Sequence, residues 1–593
     1  MSGAGVPFTN AQKEYLEGYA AGLRVRGLVP FVGVQGDGRL THEPGNGAVN
    51  LAAPGDGGAT AYGVPIDELT REERLKLEEN PLDIWDKILR HAAADKPPEG
   101  GDVFRFKFHG MFYVAPAQDA FMVRVRVPAN ILTAHQLRTL ARIARSWGNG
   151  QADITTRGNV QIRALAPRDI VNVLMALSDA GLTSRGAGAD NVRNVTATPT
   201  SGLDPAELYD VRPLAQGLQF YLNNNRDLFG LPRKFNVAFD SGGSVSVVGD
   251  TNDIGFQAAR VADGKDVPPG IYFRVLLGGI TGHLFFAEDA GIVVPPEECV
   301  AVAAAMIRVF ADQGDRTDRK KARLRFLIDR IGFDAFLAAT EAKLAFKLRR
   351  LKADDCSPPR APIRHGHVGA FTQKQPGLNY VGIAVPVGRL TATQMVKLAE
   401  LAEECGSGEL RLTVWQNVIL PNIPDAALGA VERRVRAMGF DIRAASASAG
   451  LVACTGNTGC KFALSDTKSH AFAIRRELDR TVALDTPINI HLTGCPNSCA
   501  QHYIGDIGLL GAQVATDGGT IEGYTVFVGG GSGRERVLAR EIAKGVPADQ
   551  VPGALARLLT AYQTRRQAGE GFVAFAHRHD EAALCAMLTG AAA

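Results

Sequence analysis

Cysteine, aromatic side chains and unbroken apolar stretches are all scarce in this chain of 593 residues. Eight cysteines are too few to staple a chain of this length into a disulfide scaffold, which leaves them free for metal or redox chemistry in a reducing compartment. No apolar run reaches the roughly 18 residues that a membrane span needs, and residues 1–22 hold no basic segment followed by an apolar one. A cytoplasmic location without a membrane partner is therefore expected. The net charge of +3 is too small an excess for nucleic-acid binding. Basic residues do cluster over 316–330 and 343–352, either as a solvated helix face or as a surface that meets a cofactor carboxylate or an acidic protein. What is plentiful is ordinary: 46% hydrophobic and 21% charged residues, enough for several domains with buried cores.

The chain does repeat itself, at an offset of 258 positions. In the first copy Phe121, Val123, Val125 and Val127 alternate with Arg124 and Arg126, the period of a half-buried strand, and Pro128 ends it. Thr133 and Gln136 then form a capping-box pair ahead of a helical stripe of Leu137, Leu140, Ala141 and Ala144, and a closing strand is expected over 154–163. The second copy keeps the register: Pro386, the pair Thr391 and Gln394, and the stripe Met395, Leu398, Ala399 and Ala402. Thr155-Thr156-Arg157-Gly158-Asn159 corresponds to Thr413-Val414-Trp415-Gln416-Asn417. Two copies suit a pseudo-twofold pair rather than a solenoid, and such pairs tend to bind something between them. Arg124 and Arg157 become Gly382 and Trp415 in the second copy, so charge is kept in one half only. A basic wall on one side of a cavity implies an anion, since desolvated cations are otherwise costly.

Four cysteines fall within 46 residues, where even scattering predicts about 0.6. They read Cys454-Thr-Gly-Asn-Thr-Gly-Cys460 and Thr493-Gly-Cys495-Pro-Asn-Ser-Cys499. Neighbouring glycines permit tight turns whose amides point at sulfur, and the five-residue spacer of the first pair favours an iron-sulfur cluster over a single zinc ion. Cys299, Cys356, Cys405 and Cys585 stand alone and suit no ligand role. Gly529-Gly-Gly-Ser-Gly533 lacks the third glycine of a dinucleotide fingerprint, with Arg534 and Arg536 at the two positions that would need it. Electrons must therefore arrive from a separate protein.

The C-x5-C pair followed by T-G-C-P-N-S-C strongly resembles the ferredoxin-dependent nitrite and sulfite reductases, most closely the assimilatory nitrite reductases. The resemblance extends over about 105–531 through Phe121-Met-Val-Arg124, Thr155-Thr-Arg157, Asp190-Asn-Val-Arg193-Asn194 and Leu231-Pro-Arg-Lys234-Phe-Asn236. It implies an α+β fold built as a pseudo-twofold tandem repeat, each half a small ferredoxin-like unit followed by a larger α/β cofactor-binding domain. The corresponding divisions are an extension (1–100), half-domains (101–180 and 356–440), a siroheme and substrate domain (181–355) and a cluster and siroheme domain (441–593).

It further implies one siroheme and one [4Fe-4S] cluster, the latter on Cys454, Cys460, Cys495 and Cys499, with Cys499 also ligating the siroheme iron. Arg124, Arg193, Lys234 and Asn236 map onto the distal anion pocket. Lys234 is the candidate proton donor, because a guanidinium hardly releases its proton. Arg157, Gln161 and Arg163 are candidates for the siroheme carboxylates. The expected reaction is six-electron reduction of nitrite to ammonia by a monomer, with reduced ferredoxin as donor and residues 343–352 as its docking patch. Lys-x-Lys in sulfite-reducing relatives against Lys-Phe-Asn here favours nitrite over sulfite. A corrin-ring oxygenase fits the cluster but not the basic residues, and an electron-transfer scaffold needs neither the basic pocket nor the repeat.

Overall fold

The computed structural model describes residues 60–358 and 360–591, so most of the Gly- and Pro-rich stretch 36–64 lies outside the described residues. In the first half-domain the strand Phe121–Val125 leads through a turn at Pro128 to the strand Ile131–Thr133 and the helix Ala134–Ser146. That helix starts where the sequence predicts. Gln136 N donates to Thr133 Oγ1 at 3.2 Å, and Thr133 N donates to Gln136 Oε1 at 3.0 Å. Thr391 and Gln394 repeat the box at 3.2 and 2.9 Å and open the helix Ala392–Cys405. Both predicted stripes are buried in one shared core.

The closing strand expected over 154–163 is instead a hairpin of Gln151–Ile154 and Val160–Leu165. Thr155 N donates to Asn159 O and Gly158 N to Thr155 O, closing a tight loop with Gly158 at φ +65°. The second copy has the same loop, with Gln416 at φ +62°. The half-domains also exchange strands. Arg389–Thr391 of the second copy pairs with Gln151–Ile154 of the first, and Ile131–Thr133 of the first pairs with Glu409–Leu412 of the second. Each sheet has five strands, one of them borrowed.

The larger units repeat as well. Val192–Ala197, Phe235–Asp240 and Ile254–Val261 run parallel and continue into antiparallel Gly270–Leu277 and Glu288–Val294. Leu451–Ala453, Ile490–Thr493 and Ile507–Thr516 run parallel and continue into antiparallel Gly519–Val528 and Arg540–Pro547. The parallel strands are buried almost throughout, with polar residues such as Asn194, Asn236 and His491 set among the apolar ones.

The described part of the N-terminal segment packs on this core. Helix Trp85–Ala93 places Ile88 and Ala92 in the half-domain core, and helix Arg71–Glu78 carries Glu73 and Lys76 into a buried charge network with Arg316 and Asp190. The basic stretch 316–330 is accordingly not a solvated helix face throughout: Arg316 and Arg323 are buried in ion pairs with Glu73 and Asp253.

Candidate functional site

The cysteines occupy the carboxyl ends of parallel strands, where open α/β sheets bind ligands. Leu451–Ala453 runs into Cys454, and Ile490–Thr493 runs through Gly494 into Cys495. Gly494 N donates to Cys454 Sγ at 3.2 Å, and Asn497 Nδ2 reaches Cys495 Sγ at 3.5 Å. Burial pushes the Cys454 thiol up to about 11, with the nearby Cys499 adding to the effect. Cys495 is raised for the same first reason, with Cys499 and Cys460 contributing. Thiols raised in this way become thiolates readily only around a cation. Among the described residues no three ligating side chains gather about one point as a zinc ion requires, and the thiols of an iron-sulfur cube stand further apart.

Cys499 is exposed, and four cations converge on it. Its charge acts on Arg124, Arg157, Arg193 and Lys234, which come from four separate segments. Desolvation lowers Arg124 to about 9, with Arg193 adding, and lowers Arg193 and Arg157 to about 10. Lys234 reaches the lowest value of the four, about 7, through desolvation and then the charges of Arg323 and Arg193. The guanidiniums donate to backbone carbonyls and one threonine: Arg124 to Ala187 O at 3.2 Å, Arg193 to Ala189 O at 3.3 Å, and Arg157 to Thr251 O at 3.0 Å and Oγ1 at 3.2 Å. The buried Nε of Arg193 has no partner among the described residues. Asp190 offsets part of the charge at Arg193, and Asp253 and Asp250 part of that at Arg157, and the excess of buried positive charge that is left favours an anion. The residues thus fit anionic groups, and would hold a polycarboxylate macrocycle and a small anion.

Asn236 is placed differently from the cations. Its backbone N–H donates to Asp253 Oδ2 at 2.9 Å and its Nδ2 to the same oxygen at 3.3 Å. Arg163 and Gln161, candidates for the siroheme carboxylates, make contacts within the chain. Arg163 donates to Thr455 Oγ1 at 2.6 Å, Gly459 O at 3.1 Å and Gln161 Oε1 at 2.7 Å, so it ties the first half-domain to the loop between Cys454 and Cys460. The strand points Arg163 across the pseudo-twofold interface, and Gln161 supports it from the same face. Residues 343–352 carry their own counter-charges: Lys343 meets Asp312 at 2.6 Å, Lys347 meets Glu341 at 3.3 Å and Arg350 meets Asp334 at 3.7 Å.

Three contributors were not found from the sequence. Asp253 is fully buried and receives Arg323 through Nη2 at 2.8 and 2.9 Å. Thr156 Oγ1 donates to Cys499 O at 2.9 Å. A signal for Asp253 did exist: Asn236 and Asp253 recur as Asn489 and Asp506, both 253 positions later, beyond the part of the repeat that the half-domains display.

Residues 188–348 and 445–580 match the nitrite and sulphite reductase 4Fe-4S domain, and residues 115–180 and 371–438 match the nitrite/sulfite reductase ferredoxin-like half domain. The chain belongs to the nitrite and sulfite reductase family, which carries siroheme and a [4Fe-4S] cluster. It is 38% identical to a ferredoxin–nitrite reductase of Synechococcus elongatus over 511 residues, 83% of this chain and 96% of that protein. It is 36% identical to the chloroplastic ferredoxin–nitrite reductase of Zea mays, over 83% of this chain and 89% of that one. The solved structure of the Mycobacterium tuberculosis NirA protein superposes with a TM-score of 0.80 at 30% identity, covering 87% of this chain and 97% of that one. No helix among the described residues is long and apolar enough to cross a membrane.

Proposed function

We propose that this chain is a ferredoxin-dependent nitrite reductase that takes nitrite to ammonia with six electrons. The observation that carries the reading is the convergence of Arg124, Arg157, Arg193 and Lys234 on Cys499. In this reading Cys454, Cys460, Cys495 and Cys499 hold the cluster, and Cys499 also ligates the siroheme iron. When bound, the two groups supply an iron site for the anion and a store of single electrons.

Arg124 and Arg193 gather the anion and stabilise the negative charge that builds as N–O bonds break, acting in a water-poor cleft where such charges count for most. Arg157 lies beside Thr251 and faces the macrocycle's carboxylates. Lys234 supplies protons: with its value near 7, its ammonium gives up a proton far more readily than an ordinary lysine does. The single ammonium at 234, beside an amide at 236, suits a monoanion better than a dianion. The four cations also separate this reading from the corrin-ring oxygenase, which needs no anion pocket. A cytoplasmic monomer divided into the five segments given above completes the proposal, with ferredoxin as the donor.

Steady-state reduction of nitrite and of sulfite by the purified holoenzyme with reduced ferredoxin tests it, together with the visible spectrum of the same sample. A siroheme spectrum with kcat/KM strongly favouring nitrite supports the assignment. Preference for sulfite refutes the substrate, and a preparation that binds cluster but no siroheme refutes the mechanism.

A further inference from the structure

Asn236 follows Lys234 in the motif that distinguishes nitrite from sulfite reduction, and the structure shows what its amide nitrogen bonds to. Asp253 lies behind it, fully buried, and its carboxylate accepts from the guanidinium of Arg323 through both Nε and Nη2. A carboxylate can only accept. The Nδ2 of Asn236, 3.3 Å from Asp253 Oδ2, must therefore be the end that turns away from the cleft. The amide oxygen is left on the cleft side, with no donor to it among the described residues.

The second half of the molecule repeats the backbone and guanidinium contacts of this arrangement, without the side-chain amide contact to the carboxylate. Asn489 N donates to Asp506 Oδ2 at 2.7 Å, and Arg364 Nη2 donates to both oxygens of Asp506 at 2.6 Å. Gly529 N donates to Asp506 O at 2.8 Å, as Gly278 N does to Asp253 O at 2.9 Å. There the far end of the asparagine amide also points inward, and His365 Nε2 stands 2.9 Å from its Oδ1. His365, His367 and Trp415 lie ring against ring in that half, with Trp415 at the position that Arg157 holds in the first.

We infer that Asp253 and Arg323 are positioning residues that lock Asn236 as a hydrogen-bond acceptor, so that this residue recognises the partly reduced, N–H and O–H bearing stage of the substrate and not the incoming anion. The inference rests on the nitrite reading. Four electrons and five protons convert nitrite to hydroxylamine and water, and two further electrons and two protons convert hydroxylamine to ammonia and water. Nitrite has no proton to donate; hydroxylamine has three. An acceptor fixed over the cleft thus holds the later species, while Arg124, Arg193 and Lys234 hold the earlier one.

The test uses the holoenzyme with nitrite and with hydroxylamine as alternative substrates, and measures free hydroxylamine released during nitrite turnover. Wild-type protein that reduces neither compound would fail the nitrite reading itself, separately from this inference. Asp253→Asn and Asn236→Leu should each raise the KM for hydroxylamine about tenfold, as loss of one hydrogen bond does, with the KM for nitrite changed less than about twofold. Both should release hydroxylamine during nitrite reduction, and Arg323→Lys, which keeps the charge but gives up the two-pronged contact, should show a weaker form of the same change. Should Asp253→Asn fail to load siroheme, Asn236→Leu decides alone, because it leaves the Asp253–Arg323 pair in place. Equal loss for both substrates, or no change in either, would overturn the assignment and leave the clamp a purely structural feature.

Discussion

Replacing Lys234 by arginine keeps a positive charge in the cleft and removes the one cation there that can part with a proton near neutrality. The shift from 10.5 to about 7 is a loss of roughly three powers of ten in proton affinity, caused first by desolvation and then by Arg323 and Arg193, with Arg233 adding and Cys499 opposing. At pH 7.5 roughly a quarter of such a group is protonated, against essentially all of an ordinary lysine. Anions that fill the cleft pull the value back up. The donor form is the protonated one, so kcat/KM for nitrite should fall as pH rises through a value at or above about 7, and kcat, which reports the occupied site, should fall at still higher pH. Lys234→Arg should lower kcat/KM about a hundredfold at pH 6.5, the scale of one lost general acid, and should lack that alkaline limb. The assay is initial rate from pH 6 to 9.5 with a reduced viologen as donor, which keeps the pH dependence of ferredoxin docking out of the result. A Lys234→Arg protein with a full siroheme spectrum that retains both the rate and the limb would refute Lys234 as the proton donor.

Cys454→Ser should abolish the iron-sulfur absorption and the activity together, whereas Cys585→Ser should change neither. Asp153 is held at about 2: burial alone would raise it, but Lys468 at 3.2 Å and Arg389 at 2.9 Å outweigh that. Its contribution to stability is therefore complete above the unfolded value near 4 and lost as pH falls toward 2, and Asp153→Asn, which strands Arg163, Arg389 and Lys468 together, should cost about 3–5 kcal/mol in denaturant unfolding at pH 7. Thr133→Ala and Thr391→Ala should each cost about 1 kcal/mol by the same measurement, since the two capping boxes have the same geometry. Charge reversal of Lys347 and Arg350 should produce a salt-sensitive loss of ferredoxin affinity if residues 343–352 dock the donor; unchanged affinity removes that patch from consideration.

The features legible in the sequence are those with a local period or a tight spacing. The capping boxes, the buried stripes of both half-domain helices and the paired cysteines belong to that class. The hairpin at 155–159 was hidden because Thr155 and Thr156 are β-branched and prolong the strand pattern, while its second-copy counterpart turns at Gln416, a residue type that gives no warning of a positive φ. Arg163 shows another limit. Alternation tells which face of a strand a residue occupies, but its partner Gly459 lies 296 positions away. Asp253 and Arg323 are 70 residues apart and obey no period, so only the folded chain brings them together. Asn236 was found by resemblance, yet which end of its amide faces the cleft depends on a carboxylate that the motif does not contain.

The strand exchange between the half-domains sets an order of events for a chain emerging from the ribosome. Ile131–Thr133 cannot find its neighbour Glu409–Leu412 until some 280 further residues have been made, a delay on the order of tens of seconds at typical synthesis rates. During that interval the nascent first half exposes an open sheet edge at Gln151–Ile154 and an unpaired strand at Ile131–Thr133, both of the kind that invites pairing with other chains. Closure then depends on contacts of very high sequence separation, which form slowly. The cysteine loops arrive later still, from residue 454 onward. Cofactor insertion is thus a late step by construction, and a truncated chain that ends before the second half-domain should aggregate rather than fold as a smaller enzyme.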